Sequence, residues 1–324
     1  MSKLSRGFPL SICGLGKFAT KRILPALAQS ADFELVAVVD PSGIAKDLPD
    51  GVRRFTSLET FIEANPTGAV YVASPNFLHA QHSLRCLAAG LHVLCEKPMA
   101  TNSIDCRTMI KAATDHNLIL GVGHMLRYSP ALELAKEWLE QGDIGELMSI
   151  NAIFHYELDQ SSRRWGFRLD QAGGGALMDA GVHCIDVIRQ FITGPISVLT
   201  ANTDRHAYED GVERKAVCNF TAGNVNCIVD VNSQAPYKTL LTLIGINGSI
   251  VVDNFAATWG EVAVKIYPKH NSKLVKSKIV DTSTIYDRQL QMFAKGIAQL
   301  SIAAWQDISA ADNVKVIEDL YSIS

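Results

Sequence analysis

Short, fully apolar runs alternate with helical patterns over the first 123 residues. Leu10–Cys13, Phe33–Asp40, Ala69–Ser74, His92–Glu96 and Leu118–Val122 predict strands. The stretches near 18–29, 57–64, 78–89 and 103–116 repeat apolar positions at helical spacing. A run such as "AVYVA" (69–73) has no polar face, which suits a strand buried on both sides in a parallel sheet covered by helices. Pro25 lacks an amide donor and predicts a kink in the first helix. After Gly123 the rhythm changes. A helix over 130–141 leads to a long strand, "LMSINAIFHYEL", and then to a helix opening on Gly173-Gly174-Gly175. From 196 to 267 the pattern is that of strands joined by tight turns. Val225, Cys227, Val229 and Val231 alternate there with Asn226, Ile228, Asp230 and Asn232, and Asn247-Gly248 predicts a type I′ hairpin turn. Helices over 286–300 and 309–322 close the chain. The expectation is an α/β domain over 1–123 and an α+β domain with an open, largely antiparallel sheet over 124–324.

Composition narrows the class. The chain has 324 residues, enough for about two cores, and its 48% hydrophobic and 19% charged content is that of a globular protein. A net charge of −3 without a basic run gives no electrostatic case for nucleic acid or an anionic membrane. The seven cysteines (13, 86, 95, 106, 184, 218 and 227) form no CxxC pair and no zinc-like spacing, so no metal is expected and a reducing compartment is. The N-terminal "MSKLSRGFPLSICGLG" has a signal peptide's outline, yet its apolar run is short and leads into glycines and Lys17. No run of 18 apolar residues predicts a membrane span. A cytoplasmic protein is expected.

The first candidate chemistry lies in "LSICGLGKFATKRILPAL". A strand leads to Gly14-x-Gly16-x-x-Ala19 and then to a helix, with Lys17 and Phe18 inside the turn. Such glycines allow a tight turn and let backbone approach a pyrophosphate at the positive end of the helix. Asp40 ends the next strand, twenty-six residues after Gly14, where an acid accepts from the adenosine ribose hydroxyls. A carboxylate there repels a 2′-phosphate, and no arginine follows in "DPSG", so NAD is expected rather than NADP; Lys17 softens that repulsion. "VASPNFLHA" and "HVLCEKPMA" leave the next two strands at the edge where ligands of such folds bind.

Taken in order, Gly14-x-Gly16-x-x-Ala19, Ser74-Pro75-Asn76-x-x-His79, Glu96-Lys97-Pro98, Arg127-Tyr128-x-Pro130 and Gly173-Gly174-Gly175-x-x-x-Asp179-x-Gly181-x-His183-x-x-Asp186 resemble the glucose–fructose oxidoreductase/inositol dehydrogenase/rhizopine-catabolism family. The resemblance runs over essentially the whole chain; Ser74 stands where the family more often has threonine. It implies a Rossmann dinucleotide-binding domain, a second domain whose open sheet often forms the oligomer interface, and NAD(P)-dependent oxidation or reduction of sugars, inositols and related polyols. It also implies that Lys97 lies beside Asp179 and His183, that Trp165 lies near the cofactor, and that the assembly is a homodimer or homotetramer through the sheet.

Asp179 and His183, at i and i+4, share a helix face. His183 has the side chain suited to take a proton from a substrate hydroxyl near neutral pH. Lys97 then holds the oxygen and favours its alkoxide character, and Asp179 orients substrate or histidine. The three glycines bring backbone close to the nicotinamide. Ser74, Pro75, Asn76, His79, Glu96, Lys97 and Arg127 complete the expected cofactor contacts. His155 and Tyr156 are strand residues that either pack or reach substrate, and Asp186 either joins the site or faces solvent. Two other functions stay open on the same fold: a cofactor-binding regulator, and an NAD-dependent glycosidase that recycles its cofactor.

Overall fold

The computed structural model describes residues 7–43, 48–158, 164–269, 274–299 and 307–324. The chain divides into two compact units, Met1–Gly123 with Tyr286–Ala311, and His124–Ile285 with Asp312–Ser324. The penultimate helix groups with the first unit. The reason is apolar: Phe293 is fully buried and stacks on Phe33, with ring centroids 5.8 Å apart.

The first unit is a parallel sheet of six strands: β1 (Phe8–Cys13), β2 (Phe33–Val39), β3 (Arg53–Phe55), β4 (Ala69–Val72), β5 (His92–Cys95) and β6 (Leu120–Val122). Their order is β3-β2-β1-β4-β5-β6. The chain reverses direction across the sheet between β1 and β4, which puts the switch point at the ends of those two strands. Helices α1 (Leu24–Gln29), α2 (Leu58–Glu63), α3 (His79–Ala88) and α4 (Ser103–Asp115) connect them. Local chemistry starts two of these. Ser57 accepts the Thr60 amide at 3.2 Å and Asn102 the Asp105 amide at 2.8 Å. The Pro25 kink takes the form of a wide turn over Ala19–Ile23, where the Leu24 amide reaches back five residues to the Ala19 carbonyl. Strand β3 has no apolar signature because it is an exposed edge of three residues.

The second unit carries α5 (Pro130–Glu140), β7 (Leu147–Glu157), the short α6 (Leu169–Ala172) and α7 (Val182–Arg189). Strands β8 (Ile196–Thr203), β9 (Lys215–Ala222), β10 (Val225–Asn232), β11 (Gln234–Gly245), β12 (Gly248–Asp253), β13 (Glu261–Pro268) and β14 (Lys276–Asp281) follow. The eight strands order as β14-β13-β12-β11-β7-β10-β9-β8, antiparallel except where β10 runs parallel to β7. Helices α8 (Ile285–Gln299) and α9 (Ile308–Ser322) end the chain.

The hairpin between β11 and β12 turns one residue earlier than the Asn247-Gly248 pattern predicts. Ile244 pairs with Ser249, and neither Asn247 nor Gly248 has positive φ. Gly248 is needed for room instead, since a Cβ there would sit 2.5 Å from the Tyr267 carbonyl on β13. His155 and Tyr156 diverge across β7. His155 turns to the outer face and lies 3.0 Å from Asp230, so it does not share Tyr156's face.

Candidate active site

In the first unit the site is built from strand ends. Gly14 follows β1 with φ +94°, and a Cβ on it would sit 2.7 Å from Ala73 O and Ser74 N, the backbone leaving β4. A Cβ on Gly16 would meet nothing within 4 Å. One glycine is therefore demanded by the fold, and the other leaves an open cradle before the Ala19 turn. Asp40 closes the loop from β2. Its Oδ2 accepts the Leu15 amide at 2.8 Å, and its Oδ1 accepts the amide of Ser42 at 2.9 Å and the Ser42 hydroxyl. Burial pushes this carboxyl up, but the Ser42 and Leu15 donors outweigh it and hold Asp40 below the ordinary aspartate range. Lys17 is exposed, Phe18 packs edge-on to Tyr286 at 5.9 Å, and Ala19 is buried.

The next two strand ends are locked together by a histidine. His79 is buried, with Nδ1 2.7 Å from Pro98 O and Nε2 2.8 Å from Ser74 O. Burial pushes its pKa down to about 4 against the pull of those two carbonyls. His79 thus holds the loops carrying Ser74-Pro75-Asn76 and Glu96-Lys97-Pro98. Glu96 accepts from the Tyr71 hydroxyl, which Gln289 of α8 also approaches at 3.4 Å, and from the Lys97 amide at 3.2 Å. Gly123 leaves room for that carboxylate, because a Cβ there would lie 2.8 Å from Glu96 Oε1.

In the second unit the segment 173–191 takes shape around its glycines. Gly173 ends α6 in the left-handed region at φ +78°. Cβ atoms on Gly174 and Gly175 would fall 2.1 Å from the Tyr321 hydroxyl and 1.8 Å from the Glu213 carbonyl. The backbone here closes on Tyr321 and Glu213. A wide turn over Leu177–Gly181 then runs into α7. Asp179 accepts from the Tyr156 hydroxyl at 2.8 Å. His183 is buried, stacked on Phe154 with centroids 6.1 Å apart and edge-on to His124 at 6.3 Å.

Asp186 does not face solvent. Its carboxylate, 2% exposed, accepts from Arg127 Nε at 3.0 and 3.1 Å, from Arg127 Nη2, and from Asn313 Nδ2 at 2.9 Å. Arg127 reaches this carboxylate through Nε and Nη2. Burial alone would raise the Asp186 carboxyl; the charges of Arg127 and His124 and the hydrogen bonds reverse that and hold it at about 2. Trp165 lies on the turn Arg164–Phe167. The sequence reading missed Tyr71, Gln289, Glu213, Asn313 and Tyr321, whose partners are 25 to 218 positions away and leave no local pattern.

A parallel sheet with a glycine cradle at its switch point and an acid closing β2 is a dinucleotide-binding framework. The "Oxidoreductase family, NAD-binding Rossmann fold" model matches residues 8–124, and the "GFO/IDH/MocA C-terminal domain" model matches 132–251. The dTDP-3,4-didehydro-2,6-dideoxy-alpha-D-glucose 3-reductase of Saccharopolyspora spinosa is 31% identical over 255 residues, 75% of this chain and 74% of the relative. The chain belongs to the GFO/IDH/MocA family of NAD(P)-dependent oxidoreductases, as its motifs imply. Its fold matches that of a 3-ketoreductase from Actinomadura kijaniata in complex with NADP and TDP-benzene, with TM-score 0.87, 20% identity and 98% of each chain covered. It also matches an inositol dehydrogenase homologue from Azotobacter vinelandii complexed with NAD+, with TM-score 0.81, 17% identity, and 98% of this chain and 95% of that chain covered.

The Asp186 cluster generates a pH prediction. Its folded pKa of about 2 lies below the ordinary 3.8, so its stabilisation is complete above about pH 4 and is lost as pH falls through 2. A shift of that size corresponds to about 2 kcal/mol. Asp186→Asn is expected to lower stability by that order at pH 7 and to flatten the loss between pH 4 and 2. Urea titrations across that range check it, and an acid slope unchanged from the parent contradicts it.

Proposed function

We propose that this oxidoreductase uses NAD to interconvert a secondary alcohol and a ketone on a sugar, inositol or related polyol, with Lys97, His183 and Asp179 as the groups that act on substrate. The observation that carries the reading is the arrangement on one helix: Asp179 held by Tyr156, and His183 buried between Phe154 and His124. Preorganised groups of this kind raise rates because they need no rearrangement during reaction. The open space at Gly16, beside a Gly14 that no side chain can replace, suits a pyrophosphate. The bound nicotinamide supplies the hydride acceptor or donor. In the oxidative direction His183 takes the hydroxyl proton, Lys97 holds the same oxygen, and Asp179 keeps the substrate hydroxyls in register. Lys97 stands in the first unit and the other two in the second, so their pairing rests on the family resemblance. The Saccharopolyspora relative is named for a nucleotide-linked ketosugar, so sugar nucleotides belong beside polyols and aldoses in an absorbance screen at the NADH band. Accumulating NADH supports a dehydrogenase; a glycosidase recycles it and a regulator makes none.

Asp40, with no arginine in the following Pro41-Ser42-Gly43, supports NAD over NADP. A Haloferax volcanii relative, 26% identical over 298 residues, is named an NADP(+) enzyme, which makes the preference a point to measure. The outer sheet face, with Leu199, Val217 and Ile228 exposed, supports a homodimer or homotetramer. Seven buried cysteines, none of them in a disulfide, support a reducing, cytoplasmic setting.

Lys97→Ala and His183→Ala are each expected to lower turnover by roughly 10²–10⁴-fold with NAD affinity nearly unchanged. The double variant is expected to be little worse than the poorer single one, because the two serve one oxygen. The acid limb of the oxidation profile should vanish in His183→Ala. Near-full activity in either single variant contradicts the mechanism. Fluorescence titration is expected to give tighter binding of NADH than of NADPH, with the gap narrowed in Asp40→Ser; the reverse order in the parent refutes the cofactor assignment. Light scattering at micromolar concentration is expected to give a multiple of 35.3 kDa, and a stable monomer refutes the assembly.

A further inference from the structure

Three successive amides open the segment that carries Asp179 and His183, and one distant residue accepts from all of them. The Gly175 amide donates to Glu213 Oε2 at 3.0 Å, the Ala176 amide to the Glu213 carbonyl at 3.0 Å, and the Leu177 amide to Glu213 Oε1 at 2.8 Å. The Tyr321 hydroxyl of α9 donates to the same Oε1 at 2.8 Å. Glu213 is 1% exposed. The positive end of this helix is therefore filled by a carboxylate that belongs to the chain. A helix start normally frays toward water. This one is held from outside its own element, two residues before Asp179 and six before His183.

We propose that Glu213 and Tyr321 are positioning residues for the reaction: they fix where the helix begins, and so fix the rotation at which Asp179 and His183 are presented. The glycines follow from this role, since Gly174 and Gly175 have no Cβ where the Tyr321 hydroxyl and the Glu213 carbonyl lie. The wide turn over Leu177–Gly181 makes the anchor matter more. That turn, closed by the Val182 amide on the Leu177 carbonyl, replaces the tighter α-helical bond that would set the phase of the next residues. A second clamp from α9 acts farther along: Asn313 donates to Asp186 at 2.9 Å and accepts from Arg189 Nε at 2.6 Å. The last helix thus grips both ends of the segment that bears the acid and the histidine. Both act through the backbone they hold, by way of the Gly175, Ala176 and Leu177 amides.

The inference rests on the proposed roles of Asp179 and His183, so His183→Ala is run beside the positioning variants. Tyr321→Phe removes one donor and keeps the ring. Glu213→Gln keeps one acceptor but turns an amide donor toward the helix start. Turnover is counted per protomer that binds NADH, which removes any unfolded fraction from the rate. Tyr321→Phe is expected to lower kcat by about 3–10-fold, the scale of one hydrogen bond. Glu213→Gln is expected to lower it by about 10–100-fold, the scale of a small misplacement of reacting groups. NADH affinity should stay within about twofold, because the displaced groups act on substrate rather than on the cofactor. A lowered melting temperature with kcat per NADH-binding protomer unchanged in both variants overturns the proposal and leaves the pair with stability alone. Parallel loss of NADH affinity also overturns it. If His183→Ala keeps full turnover, the reading of the site falls and this inference with it. An inactive His183→Ala beside positioning variants of parental kcat overturns only the inference.

Discussion

Taking a carboxylate out of water costs several kcal/mol unless donors surround it, and Glu96, Asp186 and Glu213 are all at most 9% exposed. Each meets the constraint by drawing together elements that the chain order separates. Glu96 ties the end of β5 to Tyr71 in β4, with Gln289 of α8 at that hydroxyl. Asp186 ties α7 to Arg127 at the start of the second unit and to Asn313 in α9. Glu213 ties the beginning of the Asp179–His183 segment to α9 through Tyr321.

The residues proposed to act on substrate and those that hold them are therefore different sets. Lys97, Asp179 and His183 are short steps along the chain from a buried acid: Lys97 follows Glu96 directly, and Asp179 and His183 lie between the Glu213 anchor and Asp186. Such groups keep their geometry because the backbone beside them cannot move without exposing or orphaning a carboxylate. His79 does the same with backbone carbonyls, spanning the loops after β4 and β5.

Glycine serves two purposes here. Gly14 and Gly173 hold positive φ, whereas Gly175 and Gly248 lack a Cβ where another backbone passes. Both leave the same letter in a sequence. This is why Asn247-Gly248 read as a hairpin turn although Gly248 makes room for β13.

The sequence by itself determined what is encoded within a few residues. The parallel strands announced themselves by apolar runs, the second sheet by alternation, and the cradle by Gly14-x-Gly16-x-x-Ala19 with Asp40 at the next strand end. Tertiary structure alone decided what depends on partners far along the chain. The edge strand Arg53–Phe55 exists only because β2 is there to pair with it. His155 and Tyr156 part company because adjacent strand residues face opposite ways. Asp186 reads as either a site residue or a solvent-facing one, and Glu213 leaves no signal, until folding brings them donors from up to 127 positions away. Local periodicity carries no record of such pairs, because the cost of burying a charge is met by whichever donors the fold delivers.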